Sequence, residues 1–305
     1  MARRARLLAR DGGGDPSPPL SWPVSPETKA KLLVRWPQRY GWPNATVWID
    51  PIKRGIASHV RVEPADIPQP VGNAVLFEAL LDGAGRRVVI DYSDLGDLHE
   101  CSSQADLYFK LQFSREGYGS DTIVPGGYVS NKLTLYKHGR ALRDLSRQRL
   151  PVHDVVGRFG VRSGGEIRRR AIALLESQDR FKYTGGGQPV WWGEYIDELS
   201  DAGVCIDLPG KGELCYRLID CLALGACVVG PDLEARLHVP LESGVHLIRI
   251  PRTLEGLVEW CERLLADDEL RGTIARGAAD YFDRYLALEQ LGAYYVDVLW
   301  RLRDR

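Results

Sequence analysis

Residues Gly203–Asp232 read GVCIDLPGKGELCYRLIDCLALGACVVGPD, and the order of residue types in this stretch decides the fold. Val204, Cys205, Ile206 and Leu208 make a short apolar strand, which Pro209-Gly210 and Gly212 interrupt. From Glu213 the apolar residues Leu214, Leu218, Ile219 and Leu222 recur at helical spacing, and Gly225 closes the helix. Ala226 to Val229 is then a continuous apolar run, the pattern of a strand buried on both faces of a parallel sheet. Strand, helix and strand in this order make a βαβ unit. Its loops fall at the carboxyl ends of the strands, where open α/β sheets bind ligands.

The polar positions of that helix carry the functional information. Glu213, Arg217 and Asp220 are spaced four and three apart, so the expectation is that all three project from one face. Two readings are open. One is an exposed ladder of ion pairs, each stabilising the helix by roughly a few tenths of a kcal/mol. The other is a ligand-facing set near a helix start, where an anion is favoured and a carboxylate can accept bonds from sugar hydroxyls.

The run RLIDCLALGACVVGPD resembles the nucleotide-sugar-binding segment of GT-B glycosyltransferases, and Arg217 three residues before Asp220 makes it most similar to their exostosin-type branch. The resemblance implies that Asp220 takes the place of the family's ribose-binding acid. The family's more widespread pattern has two glutamates separated by seven residues. Here the position eight before Asp220 is Gly212, and Glu213 lies one residue off.

Composition bounds the rest. With 305 residues the chain suits two modest α/β domains, each able to bury a core. The 40 basic and 41 acidic residues nearly cancel, which gives no global reason to expect nucleic acid or an acidic partner. The apolar run near Cys221–Val229 is too short to span a bilayer, so no integral membrane segment is expected. MARRARLLARDGGG is basic but lacks the apolar stretch of a signal peptide, and the default expectation is a cytoplasmic protein. Cys101, Cys205, Cys215, Cys221, Cys227 and Cys261 form no C-x-x-C pair and read as reduced, mostly buried residues.

Residues 1–26, rich in Arg, Gly and Pro, read as a disordered leader, with a polybasic membrane tether as the other reading. A first domain is expected over 27–150. Lys31–Trp36 and Thr46–Ile49 read as strands, with loop chemistry between them, and Trp36, Trp42 and Trp48 either pack or stack on a sugar ring. Ala74–Leu81 is a mixed apolar segment ended by Asp82-Gly83, and Arg87–Asp91 is a buried strand. Asp91-Tyr92-Ser93-Asp94, with Asp97 and His99, sits just past that strand, a position suited either to a general base or to an acidic helix cap. Asp106–Gln112 alternates as a strand carrying Lys110, before a loop rich in Gly, Tyr and Ser. Similar text, a strand ending in Lys and then a proline-glycine-tyrosine turn, leads into the donor domain of exostosin-type enzymes. Lys132–Arg149 reads as a helix plus hinge.

A second domain is expected over 151–305. Val152–Gly157 reads as a strand, followed by Arg158, three glycines and a helix starting near Glu166. Backbone N–H groups at a helix start together with a guanidinium can hold a diphosphate. GT-B enzymes of several branches place a Gly-Arg at this strand end, and Arg158 occupies that position. Arg162 and Arg169 are secondary candidates, because Arg168-Arg169-Arg170 reads more simply as a solvated helix face. The glycines are followed by neither a Walker lysine nor a dinucleotide fingerprint. Phe181–Thr184 continues the sheet, GGGQPVWW is a loop whose Trp191 and Trp192 either anchor it or stack on a base, and a helix runs from Glu194 to Ser200. Beyond Asp232 a loop over Arg236–Pro240, a strand over Val245–Ile250 and an amphipathic helix over Leu254–Ala266 precede a helical remainder.

The expected fold class is α/β: two Rossmann-like domains facing across a cleft, the GT-B arrangement, with C-terminal helices bracing the first domain. The resemblance implies glycosyl transfer from a nucleotide-sugar donor to an unknown acceptor hydroxyl on a glycan, a lipid-linked sugar or a small molecule. The donor is a substrate, and no cofactor is expected. No D-x-D triplet occurs, which points to a metal-independent reaction with Arg158 or Arg217 stabilising the leaving group. An inverting reaction needs a base from the first domain, and Asp94 is the nominee. Two other readings stay open: a nucleotide-sugar epimerase of the same fold, and a catalytically silent binding protein.

Overall fold

The computed structural model describes residues 18–148, 150–161 and 165–304. In chain order the first elements are α1 (Pro26–Lys31), β1 (Leu32–Pro37), α2 (Thr46–Ala57), β2 (Arg61–Ala65), β3 (Ala74–Leu81), β4 (Ala84–Asp91), β5 (Leu107–Lys110) and β6 (Ile123–Pro125). Next come α3 (Leu133–Arg147), β7 (His153–Arg158), α4 (Gly165–Ser177), β8 (Tyr183–Gly186), α5 (Trp192–Ser200), β9 (Ala202–Ile206) and α6 (Tyr216–Ala223). The chain continues with β10 (Val228–Pro231), β11 (Ile248–Ile250), α7 (Leu257–Ala266), α8 (Asp268–Tyr281) and α9 (Leu288–Trp300).

These elements cluster into two compact units, each with its own sheet. One, the amino-terminal unit, comprises Pro18–Asn131, Glu234–Pro240 and the residues from Arg284 onward. The other, the carboxy-terminal unit, comprises Lys132–Leu233 and Leu241–Asp283. Neither is a single stretch of chain.

The carboxy-terminal sheet is parallel throughout, in the order β11-β10-β9-β7-β8. Counting its strands from β7, this is the doubly wound order 2-1-3-4-5, whose ligand crevice opens where β7 and β9 diverge. The apolar runs that marked the strands fill both faces: Val155, Val204, Ile206, Val229 and Ile248 belong to one buried cluster with Leu264 and Ile274 of the covering helices, and the alternate positions Val156, Cys205 and Val228 are buried as well. The α/β class with parallel strands expected from the sequence is the one observed.

The amino-terminal sheet is mixed, in the order β2-β1-β3-β4-β5-β6. Strand β3 is antiparallel to both of its neighbours, β1 and β4, and it joins β4 through a hairpin at Asp82-Gly83, where both residues have positive φ (49° and 86°). That two-residue turn matches the twist of the flanking strands, so β4 folds back on β3 rather than crossing over. Helix α9 returns from the far end of the chain to pack on α2 in the same unit, as the expected brace does.

Two local readings are corrected. Thr46–Ile49 is the start of α2 and not a strand. Four apolar residues cannot distinguish the two; the helical period emerges only over Ala45, Ile49, Ile52 and Ile56, all of them fully buried. Residues 1–17 of the expected leader lie outside the described residues, but its remainder is bound in place. Gln290 of α9 donates to Pro18 O and Pro19 O and accepts from Ser21 N. Of the two readings of Trp36, packing is the one observed: it is 0 % exposed and stacks on Phe77 at 4.8 Å.

Trp22 also packs in an aromatic group with His238, Tyr285 and Tyr294, all of the amino-terminal unit. Burial pushes the His238 imidazole down from 6.5 to about 3, against a smaller upward pull from the Tyr285 backbone. The unfolded chain therefore takes up a proton near pH 6.5 that the folded chain refuses until about pH 3. Stability is complete above that window and falls as the pH drops through it, by about 1.4 kcal/mol per pH unit. His238→Phe, which keeps an aromatic ring in place, is expected to make the loss of stability between about pH 7 and about pH 5 smaller by roughly 2 kcal/mol. Urea unfolding at the two pH values measures it; an unchanged slope would show that His238 titrates normally.

Candidate functional site

The carboxyl ends of β7 and β9 carry an unusual density of buried charge. Past β9 the chain turns through Asp207, Leu208, Pro209 and Gly210, and Asp207 is 0 % exposed. One oxygen of Asp207, Oδ1, accepts from Arg217 Nη1 at 3.3 Å, while Oδ2 has no hydrogen-bond partner among the described residues. Burial raises the Asp207 carboxyl above its usual range, and Arg217, Arg249 and Arg168 oppose that rise. Arg217 also donates to Leu208 O, and its guanidinium lies over the Phe159 ring, 4.7 Å from the centroid. Burial works against the Arg217 cation, but Asp207 and Tyr195 hold it above its usual value.

Arg168 lies on the same strand-end layer. It reads as solvated in the sequence, yet it is 5 % exposed, whereas Arg169 and Arg170 are exposed. Its Nε donates to Pro209 O at 2.8 Å, Nη1 to Gly160 O at 2.9 Å and Nη2 to Leu208 O at 3.3 Å. Burial lowers its basicity, and the nearby Arg217 charge lowers it further. A sequence signal for this was present: Arg168 shares the i, i+3, i+7 stripe of α4 with Ala171 and Leu175, both fully buried.

The nominated residues fall as follows. Arg158 ends β7, and its fork is engaged by Glu198 of α5: Nε and Nη2 each lie 2.6 Å from a carboxylate oxygen. That pairing raises the Arg158 pKa further. The remaining nitrogen, Nη1, lies 3.4 Å from Gln188 O. Asp220 is 0 % exposed in mid-α6, and its Oδ2 accepts from the Tyr195 hydroxyl at 3.1 Å. Glu213 does not share a helical face with Arg217 and Asp220, contrary to expectation, because α6 begins only at Tyr216. Cys215 before it is extended (φ −121°, ψ 148°), so the four-and-three spacing does not apply. Glu213 instead makes a bidentate pair with Arg252, at 2.7 and 3.1 Å. Arg162 lies outside the described residues. Trp191 is 82 % exposed at the start of α5.

The amino-terminal unit has a charged centre of its own at the carboxyl end of β4. Asp91 and Lys110 are register partners of the β4–β5 pair, both 0 % exposed, with Lys110 Nζ 2.7 Å from Asp91 Oδ2. Tyr108 donates to the same oxygen at 2.5 Å, Ser93 N donates to Oδ1 at 2.8 Å, and Lys110 also reaches Ser93 Oγ at 2.8 Å. Burial pushes the Lys110 ammonium down, with Asp91 as the principal opposing charge. Asp94, nominated as a base, is exposed three residues beyond Asp91. Sequence reading placed Lys110 on a strand but did not join it to Asp91. Among the described residues, no group of three or more His, Cys, Asp or Glu side chains is placed to hold a metal, and no helix is long and apolar enough to cross a membrane.

No family model matches the chain, and no curated protein matches it. Among solved structures it is similar to TarM, at 10 % identity and a TM-score of 0.45, over 68 % of this chain and 47 % of that one. It is also similar to a glycosyltransferase from Rickettsia africae ESF-5, at 12 % identity and a TM-score of 0.41, over 66 % of this chain and 64 % of that one. The chain thus spans about half of the first and under two thirds of the second. The architecture given above rests on strand order and register rather than on these likenesses.

Proposed function

We propose that the protein is a metal-independent glycosyltransferase of exostosin-like type, which moves a sugar from a nucleotide-sugar to an acceptor hydroxyl. The observation that carries this reading is the layer of buried cations at the switch point of a doubly wound parallel sheet. Arg217 and Arg168 converge there on the turns after β7 and β9. In the reaction the acceptor oxygen forms a bond to the anomeric carbon, the bond from that carbon to the diphosphate breaks, and the hydroxyl proton passes to a base. The departing diphosphate gains negative charge, which fixed guanidinium groups in a low-dielectric setting stabilise without reorganising. Arg158, Glu213, Arg217 and Asp220 are the proposed donor-binding residues, and Asp94 the proposed base. Asp220 has no open surface as the chain stands, so its proposed contact with a ribose requires movement at α6 or acts through Tyr195.

A panel of nucleoside diphosphates and nucleotide-sugars, read by thermal unfolding, tests the assignment. A nucleotide at a hundredfold excess over its Kd stabilises by about 2.7 kcal/mol, which corresponds to a rise of roughly 5–10 °C in Tm. Asp220→Asn and Asp220→Ala are expected to lose most of that rise, whatever their own Tm. If no nucleotide shifts the wild type, the donor site is wrongly assigned. The commitment of the Arg158 fork to Glu198 favours a second reading, a binding protein without turnover. Binding without sugar transfer to any acceptor would support that reading.

A further inference from the structure

Among the arginines named at the strand ends, Arg168 differs from its neighbours. Arg158 pairs with Glu198, Arg217 with Asp207, and Arg252 with Glu213. The Arg168 guanidinium is as withdrawn from water as that of Arg217, but its bonds go to the carbonyls of Gly160, Leu208 and Pro209, with Cys215 Sγ at 3.6 Å. Among the described residues it makes no ion pair. Asp207 is near enough to act on this charge but already pairs with Arg217, so the two guanidinium groups share one carboxylate and leave a net positive charge that an anion brought close would stabilise.

Its position says where that anion belongs. Gly160 lies in the turn after β7, and Leu208 and Pro209 lie in the turn after β9. These two strands are neighbours in the sheet, and the chain winds away from them in opposite directions, so the crevice between their turns is the ligand position of this sheet order. Arg168 therefore ties the two turns together through its bonds to Gly160 on one side and to Leu208 and Pro209 on the other. At 5 % exposure it is closed off from solvent and so would act on a bound anion through its charge and the turns it holds. Gly210 shows how closely the fork fits: a Cβ there would lie 2.9 Å from Arg168 Nη2 and 3.4 Å from Cys215 Sγ.

We propose that Arg168 is the positioning residue of a diphosphate site between the turns after β7 and β9, holding both turns in register and supplying the positive potential beneath them. The proposal rests on the donor-binding reading above and names the part of the donor recognised there. A unit charge held roughly 7 Å from a phosphate at an effective dielectric of about 20 changes affinity about ten- to a hundredfold. The uncharged base and ribose feel much less of it.

Titration calorimetry with inorganic pyrophosphate, with the diphosphates of adenosine, guanosine, cytidine and uridine, and with the corresponding nucleosides tests this. Arg168→Met is expected to weaken pyrophosphate and the bound nucleoside diphosphate about ten- to a hundredfold while nucleoside affinity stays within about twofold. Arg168→Lys, which keeps the charge but cannot bridge both turns, is expected to fall between. A folded Arg168→Met with wild-type diphosphate affinity overturns the proposal. So does an equal loss for diphosphate and nucleoside, which would mark a residue that only maintains the fold. If Arg168→Met does not fold, Gly210→Ala replaces it: it displaces the fork without removing the charge, and unchanged diphosphate affinity there overturns the proposal. If the wild type binds pyrophosphate through Arg168 but no nucleotide, the glycosyltransferase reading falls and the anion site stands. If it binds neither, both fall.

Discussion

Replacing Lys110 with methionine is expected to lower the stability of the protein by about 3–5 kcal/mol, because it leaves a buried carboxylate without its counter-charge. Asp91 and Lys110 are both 0 % exposed, and the ammonium is the only cation hydrogen-bonded to that carboxylate among the described residues. What remains in the variant is the Tyr108 hydroxyl and the Ser93 amide, two dipoles facing a full charge. Asp91 would then have to take up a proton or draw in water. The double variant Asp91→Asn/Lys110→Met removes both charges, and it is expected to recover more than half of the loss, since a buried pair stabilises little compared with what breaking it costs. Denaturant unfolding of the four proteins in the cycle gives the coupling directly. A single-variant loss below about 1 kcal/mol would mean that water reaches Asp91.

Gly292→Ala is expected to destabilise by about 3 kcal/mol, although it adds one methyl group and raises helix propensity. Gly292 of α9 crosses Gly55 of α2 backbone to backbone. A Cβ on Gly292 would run into the carbonyl group of Gly55, and one on Gly55 would meet Leu288 O and, at 3.1 Å, the Gly292 Cα. No side chain is available to swing aside, so the helices must separate and release the close packing around Ile52, Ile56, Leu291 and Tyr295. Gly139, also inside a helix, provides the control. Its Cβ would meet nothing nearer than Ala223 O at 3.6 Å, an ordinary contact. Gly139→Ala is therefore expected to stabilise by up to about 1 kcal/mol. Thermal unfolding of both variants checks the opposite signs; a neutral Gly292→Ala would show that the crossing is looser than described.

What was legible in the sequence is what burial alone dictates. Val204–Ile206 and Ala226–Val229 are apolar on both faces because both faces of a parallel strand are covered, so the runs announce the strands without knowledge of their neighbours. The charged centres are different. Asp91 meets Lys110 because β4 and β5 pair in a register that sets the two residues opposite each other, and register between strands separated by a long loop is not written locally. Arg168 was hidden by its company, since three arginines in a row read as solvent-facing while helical geometry turns the first of them inward. Glu213 was misplaced by a helix that begins three residues later than its apolar spacing suggests. Asp207 stood in plain view as a carboxylate between Ile206 and Leu208, and its burial at the strand end is the signal a closer reading takes from that position.

The division of the amino-terminal unit among separate stretches of chain has a consequence for biosynthesis. A nascent chain emerges from the ribosome with β1 to β6 and α2 early, but the helix that closes over Gly55 is among the last elements made. Until then the glycine seam and the apolar face of α2 around it have no cover, while the carboxy-terminal sheet is already complete through β11. The usual order, in which the first-made domain folds first, is therefore reversed here. The unit translated first is finished second, and the interval between is when a chaperone that holds exposed apolar surface has the most to protect.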